Sequence, residues 1–470
     1  MSRNSHPDVV IVGAGLAGSQ AALTCARHGL HVHLYEMRPE KKSPAHHSDY
    51  AAELVCSNSL KSDVCINAAG LLKRELTLLG SEVLAQAYHH RVPAGGALAV
   101  DREEFSESVD DLLSENPRIT RINEEFDTFD KVPDGIPVII AAGPLCSDKL
   151  SEALAPFVGD SMNFYDAAAP IVQADSLDES RVFSASRYGK GEGDDYLNVA
   201  LDQKEYDVFY NALVNAERVN KKEFEKNDLF NACQPLEEIA RKGYDALRYG
   251  VMKPVGIDDP RTGRWPFALV QLRTETRHRH AYNLVGFQTN LTWSEQKRVF
   301  RLLPGLQNVE FERYGVMHRN TFINAPEMQR IDLSLKNAPF IYLAGQITGT
   351  EGYTEAIASG LLAGLNVVAR IKGLTPFVLP EETVLGSLMK YAHDETTVDY
   401  QPMHVNFGIM IPLENRVRNK RERYKHYALR SMKALEEYKA TYEEKTFFAP
   451  DFDDKCASTI EEIVTHEIFK

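Results

Sequence analysis

The period of apolar and polar positions changes several times along the chain, and each change predicts an element. Asp8-Val9-Val10-Ile11-Val12 carries four consecutive branched apolar residues, the pattern of a strand buried on both faces. It runs into Gly13-Ala14-Gly15-Leu16-Ala17-Gly18, and then into residues 19–28, where Ala and Leu recur at helical spacing until Gly29 stops them. Residues 30–36 predict a second strand that ends on Glu36. Further buried strands are predicted at 135–144, closing on a small-residue turn, and at 340–345, followed by a turn through 352 and a helix over 355–372. Between about 167 and 324 the pattern shortens to alternating strands, as at 196–201, 267–272 and 281–287, with a turn at 256–263. After 372 the chain reads as helical, and its last thirty residues read as an acidic surface helix. No repeat interrupts this order.

These elements predict an α/β protein. A Rossmann-type FAD-binding domain is discontinuous, its first part at 1–166 and its second at 330–470 with C-terminal helices, and an α+β insertion domain occupies 167–329. Gly13 permits the tight turn, Gly15 lets a pyrophosphate approach the backbone, and Gly18 lets helix and strand pack closely. With Ala14, Leu16 and Ala17 they form a dinucleotide-binding turn, the pyrophosphate lying at the helix N-terminus. Glu36 stands where a carboxylate accepts from the adenosine ribose. The unit alone does not separate FAD from NAD. The strands at 135–144 and 340–345 are similar to those of two-dinucleotide-type flavoproteins, in which a late strand, glycine and helix set backbone N–H groups against the flavin. That assigns Gly345 and Gly352 to the cofactor.

Composition narrows the setting. A chain of 470 residues accommodates two or three domains. No apolar run approaches the ~20 residues of a bilayer crossing, and residues 1–7 lack the features of a signal peptide. The six cysteines are scattered without a C-x-x-C pair or zinc spacing, which points to free thiols in a reducing cytoplasm, with no metal and no membrane association. A net charge of −14 opposes nucleic-acid binding unless cations gather on one face. They do gather at Arg416, Arg418, Lys420, Arg421, Arg423 and Lys425, which reads as a solvated helix face or a phosphate-binding one.

Candidate chemistry lies in a few places. Cys56 follows the second strand within Glu53-Leu54-Val55-Cys56-Ser57-Asn58, and Cys233 precedes a proline in Phe230-Asn231-Ala232-Cys233-Gln234-Pro235. Each is a thiolate candidate or a small buried apolar residue; Cys25, on the first helix, reads as packing. His46, His47 and Asp49 lie in a polar loop as potential bases. Lys253 and Arg273 are anion clamps by their position at turns and strand ends. The polar run His318-Arg319-Asn320-Thr321 reads as a site lining in place of a strand interior.

Taken together the motifs resemble a known family. The segments are 13–18, Tyr35-Glu36-Met37-Arg38-Pro39, Pro44-Ala45-His46-His47, 53–61, 93–102, 253–263, Gly286-Phe287-Gln288-Thr289, 314–324, 344–364 and Asn406-Phe407-Gly408. Over the chain to about Tyr438 they resemble the folate- and FAD-dependent tRNA (uracil-C5) methyltransferases, the TrmFO family. The resemblance implies methylation of the T-loop uridine at position 54 of tRNA. The one-carbon donor is 5,10-methylenetetrahydrofolate, and FAD, reduced by NADPH (or NADH), supplies electrons. It also implies that Cys233 adds to uracil C6, since C5 is a poor nucleophile until a thiolate does so, and that Cys56 removes the C5 proton; the reverse assignment stands open. Lys253, Arg273, His318, Arg319, Tyr353, Arg416, Arg418, Lys420 and Arg421 then become RNA or folate contacts, with Tyr353 or Phe287 stacking on an extracted base. Two departures stand out: Asn231-Ala232 replaces the family's usual Glu-Gly before the second cysteine, and Ile411 stands where proline is common. The same chemistry on ribosomal RNA, an FAD-dependent oxidoreductase of a small metabolite, and a non-enzymatic FAD-bound RNA-binding protein are the competing readings.

Overall fold

A computed structural model describes residues 6–43, 45–159, 162–167, 169–191, 193–219, 234–275, 279–315, 317–397 and 400–448; for 162–167 and 317–321 it describes the backbone alone. Cys233, with the run around it, and most of the acidic C-terminal stretch lie outside the described residues.

The chain opens with β1 (Val9–Val12), α1 (Leu16–Arg27) and β2 (Val32–Glu36). Next come β3 (Ser59–Ser62), α2 (Ala68–Leu78), α3 (Glu82–His89), β4 (Arg91–Val92) and β5 (Ala97–Val100). Then α4 (Arg102–Ser114) leads to β6 (Ile119–Asn123), β7 (Val138–Ile140) and α5 (Asp148–Val158). The middle of the chain holds β8 (Met162–Ala167), β9 (Ile171–Gln173), β10 (Val182–Ser184), β11 (Tyr196–Leu201), α6 (Gln203–Val214), α7 (Leu236–Arg241) and α8 (Ala246–Tyr249). It continues through β12 (Ala268–Thr274), β13 (Ala281–Leu284), α9 (Trp293–Phe300), β14 (Phe311–Arg313), β15 (Met317–Phe322) and α10 (Ala325–Met328). The last elements are β16 (Ile341–Leu343), α11 (Tyr353–Lys372), α12 (Val384–His393) and α13 (Lys420–Thr441).

Five strands form one parallel sheet in the order β16-β7-β1-β2-β6, so strands from both ends of the chain are neighbours. All four residues of β1 are buried, because α1 and α11 cover one face and α5 the other. The two covering helices approach closely: a Cβ on Gly360 would stand 2.1 Å from the Ala17 carbonyl oxygen. By length and composition α11 would suit a bilayer, but 83% of its apolar window is buried inside the fold, which makes it the core helix of this sheet.

The insertion is built on a six-stranded antiparallel sheet, β10-β11-β12-β13-β9-β14, with α6, α7 and α9 sharing its core. Phe287, expected as a base-stacking residue, is fully buried in that core against Phe209 and Phe300, because the turn after β13 directs it inward. The run 318–321, expected as a site lining outside any strand, is part of β15, which pairs antiparallel with β8. A two-stranded ribbon pairs through its backbone and has no need of an apolar run, so periodicity gave no signal there. A second small sheet, β3-β5-β4, contacts the insertion, with Asn58 Nδ2 donating to the Thr274 carbonyl at 2.9 Å and Arg102 paired with Glu275.

The C-terminal helices join the core of the parallel sheet. Glu75 on α2, fully buried, accepts from the backbone N–H groups of Val384 (2.7 Å) and Leu385 (2.9 Å) and from the Ser431 hydroxyl. One carboxyl thereby ties α2 to the first turn of α12 and the middle of α13. Burial pushes it up to about 7, against the three hydrogen bonds.

Candidate active site

The turn after β1 is shaped by close approach. Gly13 has φ +97°, and a Cβ there would lie 2.6 Å from the Ala141 carbonyl oxygen at the end of β7. A Cβ on Gly18 would lie 1.7 Å from the Gly13 carbonyl oxygen, so helix and strand meet only because Gly18 has no side chain. Gly15 differs: a Cβ there meets nothing within 4 Å. It is the N-cap of α1, with no side-chain cap and no acidic residue in the first turn. The N–H groups of that turn therefore head an open cleft suited to an anion.

Gly13, Gly15, Leu16, Ala17, Glu36, Gly345 and Gly352 all line this one cleft, while Ala14 and Gly18 stand behind it. Glu36 accepts from the Ala14 N–H (2.8 Å), the Arg38 N–H (3.1 Å) and Arg38 Nε (3.0 Å). Burial alone would raise its carboxyl, but these bonds and the guanidinium hold it below the usual range, so it is ionised. Arg38, 1% exposed, also donates to the Tyr50 carbonyl (2.7 Å) and lies 3.6 Å from Glu53. It is the fixed cation beside Glu36 that periodicity did not single out, although the short spacing from Glu36 marks it. His46 lines the same cleft, 2.6 Å from Ser43 Oγ, and burial with the nearby Arg38 brings its imidazole down to about 4, so it is neutral at pH 7. Asp49 faces away, paired with Lys42 at 2.8 Å.

At the other end of the cleft the Tyr353 hydroxyl accepts from the backbone N–H groups of Cys56 (2.7 Å) and Ser57 (3.1 Å). Burial, with Cys56 close by, holds that phenol well above its ordinary range, so it stays protonated and keeps one O–H to donate. Three guanidinium groups lie near enough to Cys56 to feel its charge, those of Arg102, Arg273 and Arg313. Arg102 pairs with Glu275 at 2.7 Å and donates to the Leu54 carbonyl. Arg273, buried on β12, donates to Asn58 Oδ1 at 2.8 Å, and Arg313 donates to the Ala45 carbonyl at 3.1 Å. Guanidinium groups near a thiol are the setting in which a thiolate is favoured, although Arg102 is itself paired with Glu275. The other cysteines of the described residues differ. Cys25 is fully buried and pushed up to about 12, as packing requires, while Cys146 lines the cleft with its thiol raised by burial.

Of the remaining candidates, Lys253 is exposed in the turn after α8. His318 and Arg319 sit on β15 opposite Asp166 and Tyr165, with side chains outside the description. Arg416, Arg418, Lys420 and Arg421 are all exposed, the first two in the segment before α13 and the others in its first turn, far along the chain from the cleft. Sequence reasoning missed Arg102 and Arg313 as neighbours of Cys56; Arg102 opens α4 and Arg313 ends β14, and no local pattern says that they converge with Arg273.

A family model described as glucose inhibited division protein A matches residues 8–375. A methylenetetrahydrofolate–tRNA-(uracil-5-)-methyltransferase TrmFO of Moorella thermoacetica is 53% identical over 425 residues, which are 90% of this chain and 96% of the relative. The protein of the same name in Acetivibrio thermocellus is 50% identical over 92% of this chain and 98% of its own length. Among solved structures, Aquifex aeolicus GidA superposes with a TM-score of 0.67 over 95% of this chain and 76% of that one, at 17% identity, a likeness of fold.

Proposed function

From the premise that this chain belongs to the TrmFO family, we propose that it methylates C5 of the T-loop uridine at position 54 of tRNA. The donor is 5,10-methylenetetrahydrofolate, the cofactor FAD is reduced by NADPH (or NADH), and the reaction takes place in the cytoplasm. The observation that carries the reading is Tyr353. It lines the dinucleotide cleft and its hydroxyl holds the backbone of Cys56, so a candidate catalytic thiol and a cofactor groove meet at one residue.

The open space at Gly15 and the uncapped N-terminus of α1 suit the pyrophosphate of FAD, and the ionised Glu36 suits its ribose hydroxyls. When bound, FAD supplies the electrons that turn the transferred one-carbon unit into a methyl group. The chain supplies the rest. Cys233 adds to uracil C6 and makes C5 nucleophilic, and Cys56 takes the C5 proton. Arg102, Arg273 and Arg313 stabilise the Cys56 thiolate, and the backbone around it is fixed by Tyr353. The test is the formation of 5-methyluridine in unmodified tRNA, read by mass spectrometry of the digested RNA. Product that needs the folate donor supports the reading. Product confined to ribosomal RNA, or NADPH oxidation without methylation, points to the competing ones.

The exposed cations 416, 418, 420 and 421 supply a positive face for tRNA on an acidic protein. Asn419 caps α13 through the N–H groups of Arg421 (2.9 Å) and Glu422 (3.1 Å), which fixes the start of the helix. Alanine at Arg418 and Lys420 together is expected to weaken tRNA binding and to lower the slope of log Kd against log salt by roughly 1.5, the loss of two phosphate contacts. An unchanged slope would remove this face from the tRNA interface.

A further inference from the structure

We propose that a second cavity, between the β3-β5-β4 sheet and the insertion, receives the γ-linked glutamate tail of the folate donor; the inference rests on the folate reading above. The open cavity has a volume of roughly 370 Å³, and Lys61, Arg187, Tyr188, Lys190, Tyr196 and Gln271 line it. Among the described residues no aspartate or glutamate does so, which makes it a cationic cavity on a protein of net charge −14.

The Arg187 guanidinium is anchored by neutral acceptors: Gln271 Oε1 at 2.9 Å from Nε, the Val255 carbonyl at 2.6 Å from Nη1 and the Lys253 carbonyl at 2.6 Å from Nη2. It is thus held in place while its charge is left to face the cavity. Lys190 stands exposed beside it. Lys61 and Tyr188 both adopt the left-handed region, with φ +65° and +58°. Side-chain-bearing residues seldom do so, and such conformations gather where a ligand is held. Tyr188 is 66% exposed, and its ring packs flat enough on Gly256 that a Cβ there would come within 2.9 Å of it. It forms an aromatic wall beside Arg187 and Lys190.

The cavity adjoins the cofactor cleft through one pair of side chains. Lys61 Nζ lies 3.4 Å from Glu355 Oε1, and Glu355 is 1% exposed in the first turn of α11. The other oxygen, Oε2, lies 2.2 Å from where a Cβ on Gly352 would be, and Gly352 lines the cleft. A donor that reacts at that end of the cleft and carries an anionic tail thus finds cations one residue layer away. Each further γ-linked glutamate adds one carboxylate, and Arg187 and Lys190 offer two cations beside the Lys61–Glu355 pair. RNA phosphates are the poorer match. Arg187 is recessed and half-buried, whereas the cations at the start of α13 stand exposed for a polynucleotide.

The experiment compares 5,10-methylenetetrahydrofolate bearing one glutamate with the same donor bearing five, using the FAD-loaded enzyme and its Lys190→Ala and Lys190→Glu variants. The unchanged enzyme is expected to show a KM about tenfold lower for the five-glutamate donor, the scale of a few charge-assisted contacts. In Lys190→Glu the ratio of the two KM values should fall to about two or less, with KM for tRNA moving less than about twofold. Equal KM values in the unchanged enzyme would overturn the inference, as would a ratio that survives Lys190→Glu. A rise in KM for tRNA in the variants, with the folate ratio intact, would give the cavity to RNA phosphate. Methylation with equal KM values defeats only the tail site; no methylation with either donor defeats the folate reading and the inference together.

Discussion

Replacing Cys56 with alanine is expected to slow 5-methyluridine formation by about 10²- to 10⁴-fold, the range for loss of a positioned acid–base group, while FAD content stays near that of the unchanged enzyme. The separation follows from how the residue is held. Tyr353 engages the backbone N–H of Cys56 and of Ser57, so the turn does not depend on the thiol. Arg102 and Arg313 are anchored on the Leu54 and Ala45 carbonyls, and Arg273 on Asn58, so the cations also stay in place. What the substitution removes is a sulfur whose charge Arg102, Arg273 and Arg313 all feel. If Cys56 is the base, release of tritium from C5 of the uridine is lost while the covalent adduct to RNA still forms in Cys56→Ala and disappears in Cys233→Ala. Loss of the adduct in Cys56→Ala would exchange the two roles, and an undiminished rate would remove Cys56 from the chemistry.

Gly15→Val is expected to yield a folded, colourless, inactive protein, whereas Gly18→Ala should fail at the fold itself. At Gly15 the backbone has φ −75° and ψ −171°, which any residue adopts, and the added side chain enters open space in the cleft. Its Cβ would enter the space where the pyrophosphate is expected, meeting no protein atom within 4 Å. At Gly18 even one methyl group would lie 1.7 Å from a carbonyl oxygen of the turn, so α1 must move off β1. Overpacking of this kind costs ~1–3 kcal/mol or more. Absorbance near the flavin band per mole of protein, with thermal unfolding followed by circular dichroism, separates the two outcomes. A yellow Gly15→Val protein would mean that the cofactor does not approach this turn.

The parallel sheet was legible because its signals are local. A branched apolar run, three spaced glycines and a terminal acid lie within thirty residues, and the observed β1, α1 and β2 fall within a few residues of the expected ones. The helix expected from 355 begins at Tyr353, since a glycine turn leaves its first residues without an apolar pattern. The site was harder to read because it is assembled from distant segments. Arg102 comes from the start of α4, Arg273 from β12 and Arg313 from β14, and only the tertiary fold brings them to Cys56. Phe287 shows the opposite failure: an aromatic residue in a motif-bearing segment is packing, because the insertion has a core of its own to fill.

The strand order of the parallel sheet bears on how the protein is made. β16 pairs with β7, and Gly345 and Gly352 close the far end of the cleft, yet the ribosome delivers them only after the whole insertion. A nascent chain that has emerged through β7 exposes that strand as an open edge, a template for unwanted pairing. The insertion, with its separate core, is free to fold during this interval and shield its own strands. Synthesis that stalls before β16 leaves a half-groove, with the Gly15 turn and Glu36 in place but without Gly345 and Gly352 at its far end.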